Sequence, residues 1–115
     1  VATANAPIYH ILSMESADPI EDPNDVQFWW DAGLRVVGPA HFGDNTYIHG
    51  TGTEGGLKPP AAELFRTMRE AGMILDITHM ADQAVWESYA SSSESRSSKP
   101  STASTSFSRC SRRPW

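Results

Sequence analysis

The sequence predicts an α/β fold in which parallel strands are joined by helices. Over residues 1–90, three short apolar segments rich in β-branched residues alternate with three segments whose apolar side chains recur at helical spacing. The predicted strands are Ile8–Glu15, Leu34–Pro39 and Met73–Thr78, and the predicted helices are Asn24–Ala32, Pro60–Ala71 and Ala81–Tyr89. Because such strands pair in parallel through right-handed crossovers, the chain forms either a doubly wound sheet or part of a barrel.

The first strand and helix are indicated by their composition and by capping residues. Ile8–Glu15 is an apolar run with β-branched and aromatic members, which is typical of a buried strand. After an acidic, proline-containing loop, Asp22 is the predicted N-cap of the first helix, with Pro23 in its first position. Gly33 ends this helix, and Leu34–Pro39 follows as the second strand.

A long loop precedes the second helix. Residues 42–60 contain five of the eight glycines and two prolines, and loops of this length in compact domains are usually functional or mobile. From Pro60 the apolar side chains follow one helical face until Gly72 ends the helix. The third strand then leads to His79, and Asp82 lies favourably in the first turn of the third helix.

The chain changes character after residue 90. Residues 1–90 carry 13 of the 14 acidic and 4 of the 9 basic residues, a net charge of −9, whereas residues 91–115 carry +4. The second segment is nearly half serine and has almost no apolar side chain before Phe107. It cannot bury enough surface to offset chain entropy, so we predict a folded part over 1–90 and a disordered tail over 91–115.

Composition also excludes several classes of protein. The net charge of −5 argues against a nucleic-acid partner, and no apolar run approaches the ~18–20 residues of a membrane span. A lone Cys110 excludes an internal disulfide and is compatible with a reducing compartment, so the cytoplasm is slightly favoured. No signal peptide is visible, and the first residue, Val1, suggests a start inside a longer reading frame or processing. Homo-oligomerisation is left open.

Three residues that can bind metal or transfer protons follow the three predicted strands. The first strand finishes on Glu15, the second delivers His41 and the third delivers His79. Because the carboxyl ends of parallel strands form one rim, where ligands bind, these side chains are expected to meet there. Carboxylate oxygen and imidazole nitrogen are both zinc ligands, so the pattern favours a metal site.

Other polar residues have simpler explanations. A single His or Glu at a strand end is usually a polar residue entering a loop, and only the succession of three favours a site. His10, in the middle of a strand, is expected to be a packed core histidine, and His49 to be solvated. Asp76 lies in the middle of a predicted strand, where a buried carboxylate needs a partner. It could orient another group of the site, and a purely structural role is at least as well supported. Gly50–Gly56 is not followed by a phosphate-binding helix motif, which disfavours a nucleotide loop.

Several segments of the sequence resemble the membrane (renal-type) dipeptidase family, the M19 metallopeptidases of the amidohydrolase-like barrels. The resemblance spans roughly Ile8 to Tyr89, and the closing DITHMAD is its most specific part. The segments that carry it are LSMESADPIEDP, VGPAHFGDNTY and GGLKPPAAELFRTMREAGMILDITHMAD. It implies about three β/α units of a (β/α)8 TIM barrel whose two-zinc site hydrolyses the peptide bond of dipeptides.

The resemblance also implies roles for individual residues. Glu15 matches the carboxylate that bridges the two zinc ions, and His79 matches a histidine ligand of one of them. His41 matches the catalytic histidine that binds and polarises the substrate carbonyl. Asp44 and Asn45, in the following loop, are expected to line the substrate pocket. The intact site would therefore use zinc as cofactor and a dipeptide as substrate.

The chain also departs from the family pattern. Ser16 follows Glu15 where many members have glycine, a change that need not affect the ligand. The family's H-x-D pair would lie before Val1, and a further histidine strand would begin shortly after Tyr89. Because these parts are missing, we expect the isolated chain to be inactive.

Two other functions stay open at this stage. Another amidohydrolase-like metal hydrolase would use the same barrel, because fold does not fix substrate. A non-catalytic interaction module would use the tail as a nucleic-acid or partner segment. The tail's five basic residues are scattered and only Phe107 and Trp115 are aromatic, so stacking and phosphate binding are poorly supported.

We predict that residues ~90–115 arise from a frameshift or a mis-joined reading frame. The reason is the abrupt loss of family likeness together with the bias toward serine, arginine and proline. Translation of the encoding DNA in the other two frames past codon 90 is expected to yield a strand ending in a histidine. If neither frame yields one, the explanation is wrong.

Overall fold

The structure is a computed structural model that describes residues 7–94, and its elements follow the predicted alternation. In chain order the elements are β1 (Leu12–Glu15), α1 (Val26–Asp31), β2 (Leu34–Gly38), α2 (Ala61–Ala71), β3 (Ile74–Leu75) and α3 (Asp82–Glu94). A single 3-10 turn, Pro23–Asp25, leads into α1. The prediction of a mixed α/β fold is thereby confirmed.

The three strands form one parallel sheet in the order β1-β2-β3. Glu15 of β1 lies opposite Gly38 of β2, and Val37 of β2 lies opposite Leu75 of β3. One crossover contains α1 and the other contains α2. Parallel pairing is therefore confirmed, and it brings the carboxyl ends of all three strands to one edge of the sheet.

β1 is not the buried strand that the sequence predicts. Within Ile8–Glu15 only Leu12–Glu15 pairs, and the Ile8 and Tyr9 side chains are 92% and 87% exposed. β1 is an edge strand whose only paired neighbour in the described part of the chain is β2, and of its apolar side chains Met14 packs partly against the core whereas Leu12 is 51% exposed. His10 lies in the same exposed segment, and its predicted place in the core is wrong.

β3 is shorter than the predicted strand Met73–Thr78. After Ile74–Leu75, the carboxylate of Asp76 accepts hydrogen bonds from the backbone N–H and the hydroxyl of Thr78, at 2.9 and 2.6 Å. These bonds lower the pKa of Asp76, with the Thr78 hydroxyl as the largest cause. Because such local bonds compete with sheet pairing, Asp76 ends β3 and shapes the turn that leads to His79.

The helix boundaries follow capping residues that the sequence reveals. The Asp22 carboxylate accepts a hydrogen bond from the Asn24 backbone N–H at 2.8 Å, which begins the 3-10 turn before α1. Gly33 and Gly72 end α1 and α2 with φ values of 104° and 83°, in the left-handed region that glycine adopts without strain.

The core lies between the sheet and helices α1 and α2, and the long loop contributes to it. Its larger buried side chains include Ile20, Val26, Leu34, Val37, Tyr47, Ile48, Leu64 and Met68. The Tyr47 hydroxyl donates a hydrogen bond of 2.5 Å to the Ile20 carbonyl. Burial raises the pKa of Tyr47, so the hydroxyl keeps its proton and remains a donor. This bond anchors the loop to the segment that follows β1.

α3 extends to Glu94, five residues beyond the predicted end at Tyr89. Serine is only a moderately poor helix former, and the hydroxyls of Ser88 and Ser91 donate to carbonyls one turn earlier, at 2.7 and 2.9 Å. Of the tail predicted to be disordered over 91–115, residues 91–94 are helical, and residues 95–115 lie outside the described residues. Among residues 7–94, no helix is both long and apolar enough to cross a lipid bilayer.

Replacement of Tyr47 by phenylalanine is expected to lower the free energy of unfolding by about 1–2 kcal/mol, because the buried Ile20 carbonyl loses its partner. Urea unfolding of the full chain, followed by circular dichroism, measures this loss. Tyr89→Phe is the matched control, since the Tyr89 side chain is 55% exposed. Equal stability of the two variants would contradict the anchoring role of Tyr47.

Candidate metal centre

Glu15, His41 and His79 meet at the carboxyl edge of the sheet. Glu15 is the last residue of β1, and the two histidines lie in the segments that follow β2 and β3. Each of the three potential ligand atoms lies within 4.8 Å of the other two. The sequence-based expectation that the three strand ends converge is therefore met by the geometry.

One carboxylate oxygen is the common point of this cluster. Oε1 of Glu15 lies 3.2 Å from Nε2 of His79 and 3.5 Å from Nε2 of His41. The two imidazole rings contact edge to face, with centroids 5.0 Å apart. One carboxylate and two imidazoles form a donor set that zinc accepts, and their separations leave room for an ion between them. The residues present therefore fit a metal.

Solvent exposure differs among the three side chains. Glu15 is 63% exposed, His41 47% and His79 26%. The exposed ring of Phe42 packs against both imidazoles, with centroids 5.0 Å from His41 and 5.2 Å from His79. The cluster is thus open to solvent on the side of Glu15 and His41, whereas His79 is held deeper.

His79 owes its position to a turn and to a hydrogen bond from the long loop. The turn over Ile77–Met80 places His79 at φ 66°, in the left-handed region that histidine visits more readily than most residues do. Its Nδ1 lies 3.0 Å from the Thr51 hydroxyl. Nothing in the sequence marked Thr51, because it lies in a glycine-rich loop without a spacing pattern.

The family comparison agrees with this geometry. The sequence profile described as Membrane dipeptidase (Peptidase family M19) matches residues 2–110. The chain belongs to this family. The match extends beyond the stretch from Ile8 to Tyr89 that carried the resemblance, and M19 members are dipeptidase-type hydrolases and metallopeptidases.

Two curated relatives match a part of the M19 chain. Over 84 aligned residues it is 29% identical to an uncharacterized dipeptidase of Schizosaccharomyces pombe. The aligned stretch is 66% of this chain and 20% of that protein. Over 85 aligned residues it is 26% identical to an uncharacterized protein in the PQQ-III 3' region of Acinetobacter calcoaceticus. This stretch is 66% of this chain and 27% of that protein. The chain thus spans less than a third of the length of either relative.

Asp44 takes part in a hydrogen-bond network within the loop. Its carboxylate lies 2.8 Å from Nδ1 of His49 and 3.3 Å from Nζ of Lys58. A hydrogen bond from the Thr53 side chain, together with those from His49 and Lys58, lowers the pKa of Asp44. His49, expected to be solvated, is therefore partly buried and paired. The carboxylate that was expected to line a substrate pocket bonds to the loop itself.

Asn45 also bonds to the backbone of its own loop. Its carbonyl oxygen accepts hydrogen bonds from the N–H groups of Tyr47 and Ile48, each at 2.9 Å. Its amide nitrogen donates to the Pro39 carbonyl at 2.6 Å and lies 3.4 Å from the Ser16 hydroxyl. Asn45 thereby connects the loop to the end of β2 and to the residue after Glu15, and its structural contacts are more extensive than the sequence indicated.

A cleft of about 530 Å³ lies between the glycine-rich loop and the start of α3. Its walls are formed by residues 50–55 and 80–83. Gly50 is required by close approach, because a Cβ there would lie 2.3 Å from the His41 carbonyl oxygen. Gly50 therefore allows the loop to pack closely against the segment after β2 that contains His41, a role distinct from phosphate binding.

Ser16→Gly is expected to raise the free energy of unfolding of the M19 chain by about 0.5–1 kcal/mol. Ser16 has a φ of 69°, where a side chain costs more than the unfolded-state entropy that glycine adds. This strain explains physically why glycine suits the position after Glu15. Chemical denaturation measures the change. Ser13→Gly, in the middle of β1, should instead destabilise the chain, and a loss of stability in both variants would contradict the prediction.

Proposed function

We propose that this chain is the part of a zinc dipeptidase that supplies Glu15 and His79 as metal ligands and His41 as the substrate-binding histidine. The observation that carries the proposal is the convergence of one carboxylate oxygen and two imidazole Nε2 atoms at the carboxyl edge of a parallel sheet. Membership in the M19 family supports a dipeptide as the substrate class. The matched segments cover only 20% and 27% of its two relatives.

We also propose that the β1-β2-β3 sheet is a segment of a (β/α)8 TIM barrel. The units follow the β-α-β order, pair in parallel and bring their chemistry to the carboxyl edge, as barrel strands do. Apolar side chains at both edges of the sheet support further neighbours, since Leu12 is 51% and Ile74 58% exposed. The remaining strands of such a barrel would cover them.

Zinc fits the proposed ligands Glu15 and His79 better than a hard cation does, because His79 offers an imidazole nitrogen. Glu15 presents one oxygen to both histidines and has a second carboxylate oxygen for another ion, which suits a bridging ligand. When bound, zinc would supply a Lewis acid that polarises the scissile carbonyl and activates water near neutral pH.

The surroundings of the two histidines support their proposed roles. His79 is the less exposed ring and is fixed through Nδ1, which directs its Nε2 toward Glu15, as suits a ligand. His41 is nearly half exposed, and its ring contacts Phe42 and His79. An Nε2–H donor in this place can bind the substrate carbonyl and stabilise the negative charge that develops on its oxygen.

The 115-residue chain is expected to bind zinc through Glu15 and His79. Glu15→Gln and His79→Asn should each weaken binding about tenfold or more, because the first replaces the charged carboxylate by a neutral amide and the second removes the imidazole nitrogen. Asparagine tolerates the left-handed backbone at position 79. Competition with a chromophoric chelator measures the dissociation constant. Glu70→Gln, on α2, and His10→Asn, in the exposed first segment, are the matched controls. Equal affinities for site and control variants would refute the assignment.

The isolated chain is expected to release no amino acids from unmodified dipeptides above a zinc-only background. The two proposed protein ligands, Glu15 and His79, cannot complete the coordination of two zinc ions, each of which usually takes about four ligands. A sensitive assay for free amino acids, with and without added zinc, measures the rate. Zinc-dependent hydrolysis that Glu15→Gln abolishes would overturn the expectation that the chain is inactive by itself.

A further inference from the structure

We propose that Thr51 is a positioning residue that links the two histidines of the metal centre and sets the orientation of His79. Thr51 contacts both through three hydrogen bonds from one loop residue. Its backbone N–H donates to the His41 carbonyl at 2.9 Å. Its hydroxyl lies 3.0 Å from Nδ1 of His79 and 3.3 Å from the carbonyl oxygen of the same residue. The proposal rests on the proposed zinc site.

The hydroxyl contacts determine which ring nitrogen faces the proposed metal site. The Thr51 oxygen lies within hydrogen-bonding distance of both Nδ1 and the carbonyl oxygen of His79. With Nδ1 held on the side of Thr51, Nε2 is the ring nitrogen that faces the Glu15 carboxylate, 3.2 Å away. The same contact prevents rotation of the ring by half a turn.

The backbone around Thr51 is rigid enough to transmit this orientation. Gly43 donates a hydrogen bond of 2.9 Å to the Thr51 carbonyl, and the Gly50 N–H donates to the Gly43 carbonyl at 3.0 Å. With the bond from Thr51 to His41, these contacts fix the loop against the segment after β2. The Thr51 side chain is partly buried, so its bond to His79 is partly shielded from competing water.

The partner that holds the outer nitrogen of a metal-bound histidine strongly affects metal affinity. Loss of such a partner typically weakens binding about 10–100-fold. Thr51→Val preserves the shape and the backbone bonds but removes the hydroxyl, and Thr51→Ser keeps the hydroxyl. Thr67→Val is the matched control, since among residues 7–94 the Thr67 hydroxyl bonds to carbonyls of its own helix, those of Glu63 and Leu64.

Two measurements on the full chain test the proposal. In the zinc-free chain, two-bond ¹H–¹⁵N spectra of the histidine rings, assigned with His79→Asn, should show a changed Nδ1 signal for His79 in Thr51→Val. The signal should stay unchanged in Thr51→Ser and Thr67→Val. In zinc titrations, Thr51→Val should bind about 10–100-fold more weakly than the parent chain, and the other two variants within about threefold.

The outcomes separate this inference from the proposed function. An unaltered His79 Nδ1 signal in Thr51→Val, or unaltered zinc affinity in that variant while Glu15→Gln loses affinity, overturns the role of Thr51 and leaves the zinc site standing. If the parent chain and Glu15→Gln have the same zinc affinity, the proposed site fails. The ring spectra then decide whether Thr51 orients His79 without reference to metal.

Discussion

The parallel pairing of β2 with both of its neighbours is the constraint on which the rest of the structure depends. Because β1 and β3 run in the same direction as β2, the residues that follow each strand lie on one edge. A reversal of any strand would send its polar residue to the opposite edge, more than one strand length away. The cluster of Glu15, His41 and His79 is thus a product of topology before it is a product of local chemistry.

The long loop completes what the sheet begins. Residues 42–60 are tied to the sheet by Asn45 and to the core by Tyr47, and their backbone pairs with itself through short bridges. The loop thereby forms an ordered layer next to the histidines, held mainly by backbone and polar contacts and by few large side chains. Gly50 is needed where backbones approach closely, the Asp44 carboxylate bonds within the loop, and the hydroxyls of Tyr47 and Thr51 bond to residues outside it.

Much of the fold could be predicted from local patterns in the sequence. The order of helices and strands along the chain, the glycines that end α1 and α2 and the buried face of α2 all follow from periodicity and capping, which act over a few residues. The exposure of β1 could not be predicted this way, because burial depends on which elements pack beside a strand and not on its own residue pattern. Likewise, only the folded loop shows that the Asn45 side chain hydrogen-bonds to backbone groups and that Thr51 faces His79.

The distances along the chain between the three cluster residues have a kinetic consequence. Glu15 and His41 are 26 residues apart, and His41 and His79 are 38 apart, so no local segment contains two of them. The first crossover must close before the carboxylate meets the His41 ring and both before it meets the His79 ring, and closing such long loops costs chain entropy. An ion can bind at this edge only after the strands have assembled. Its binding therefore shifts the folding equilibrium toward the state in which the sheet is complete.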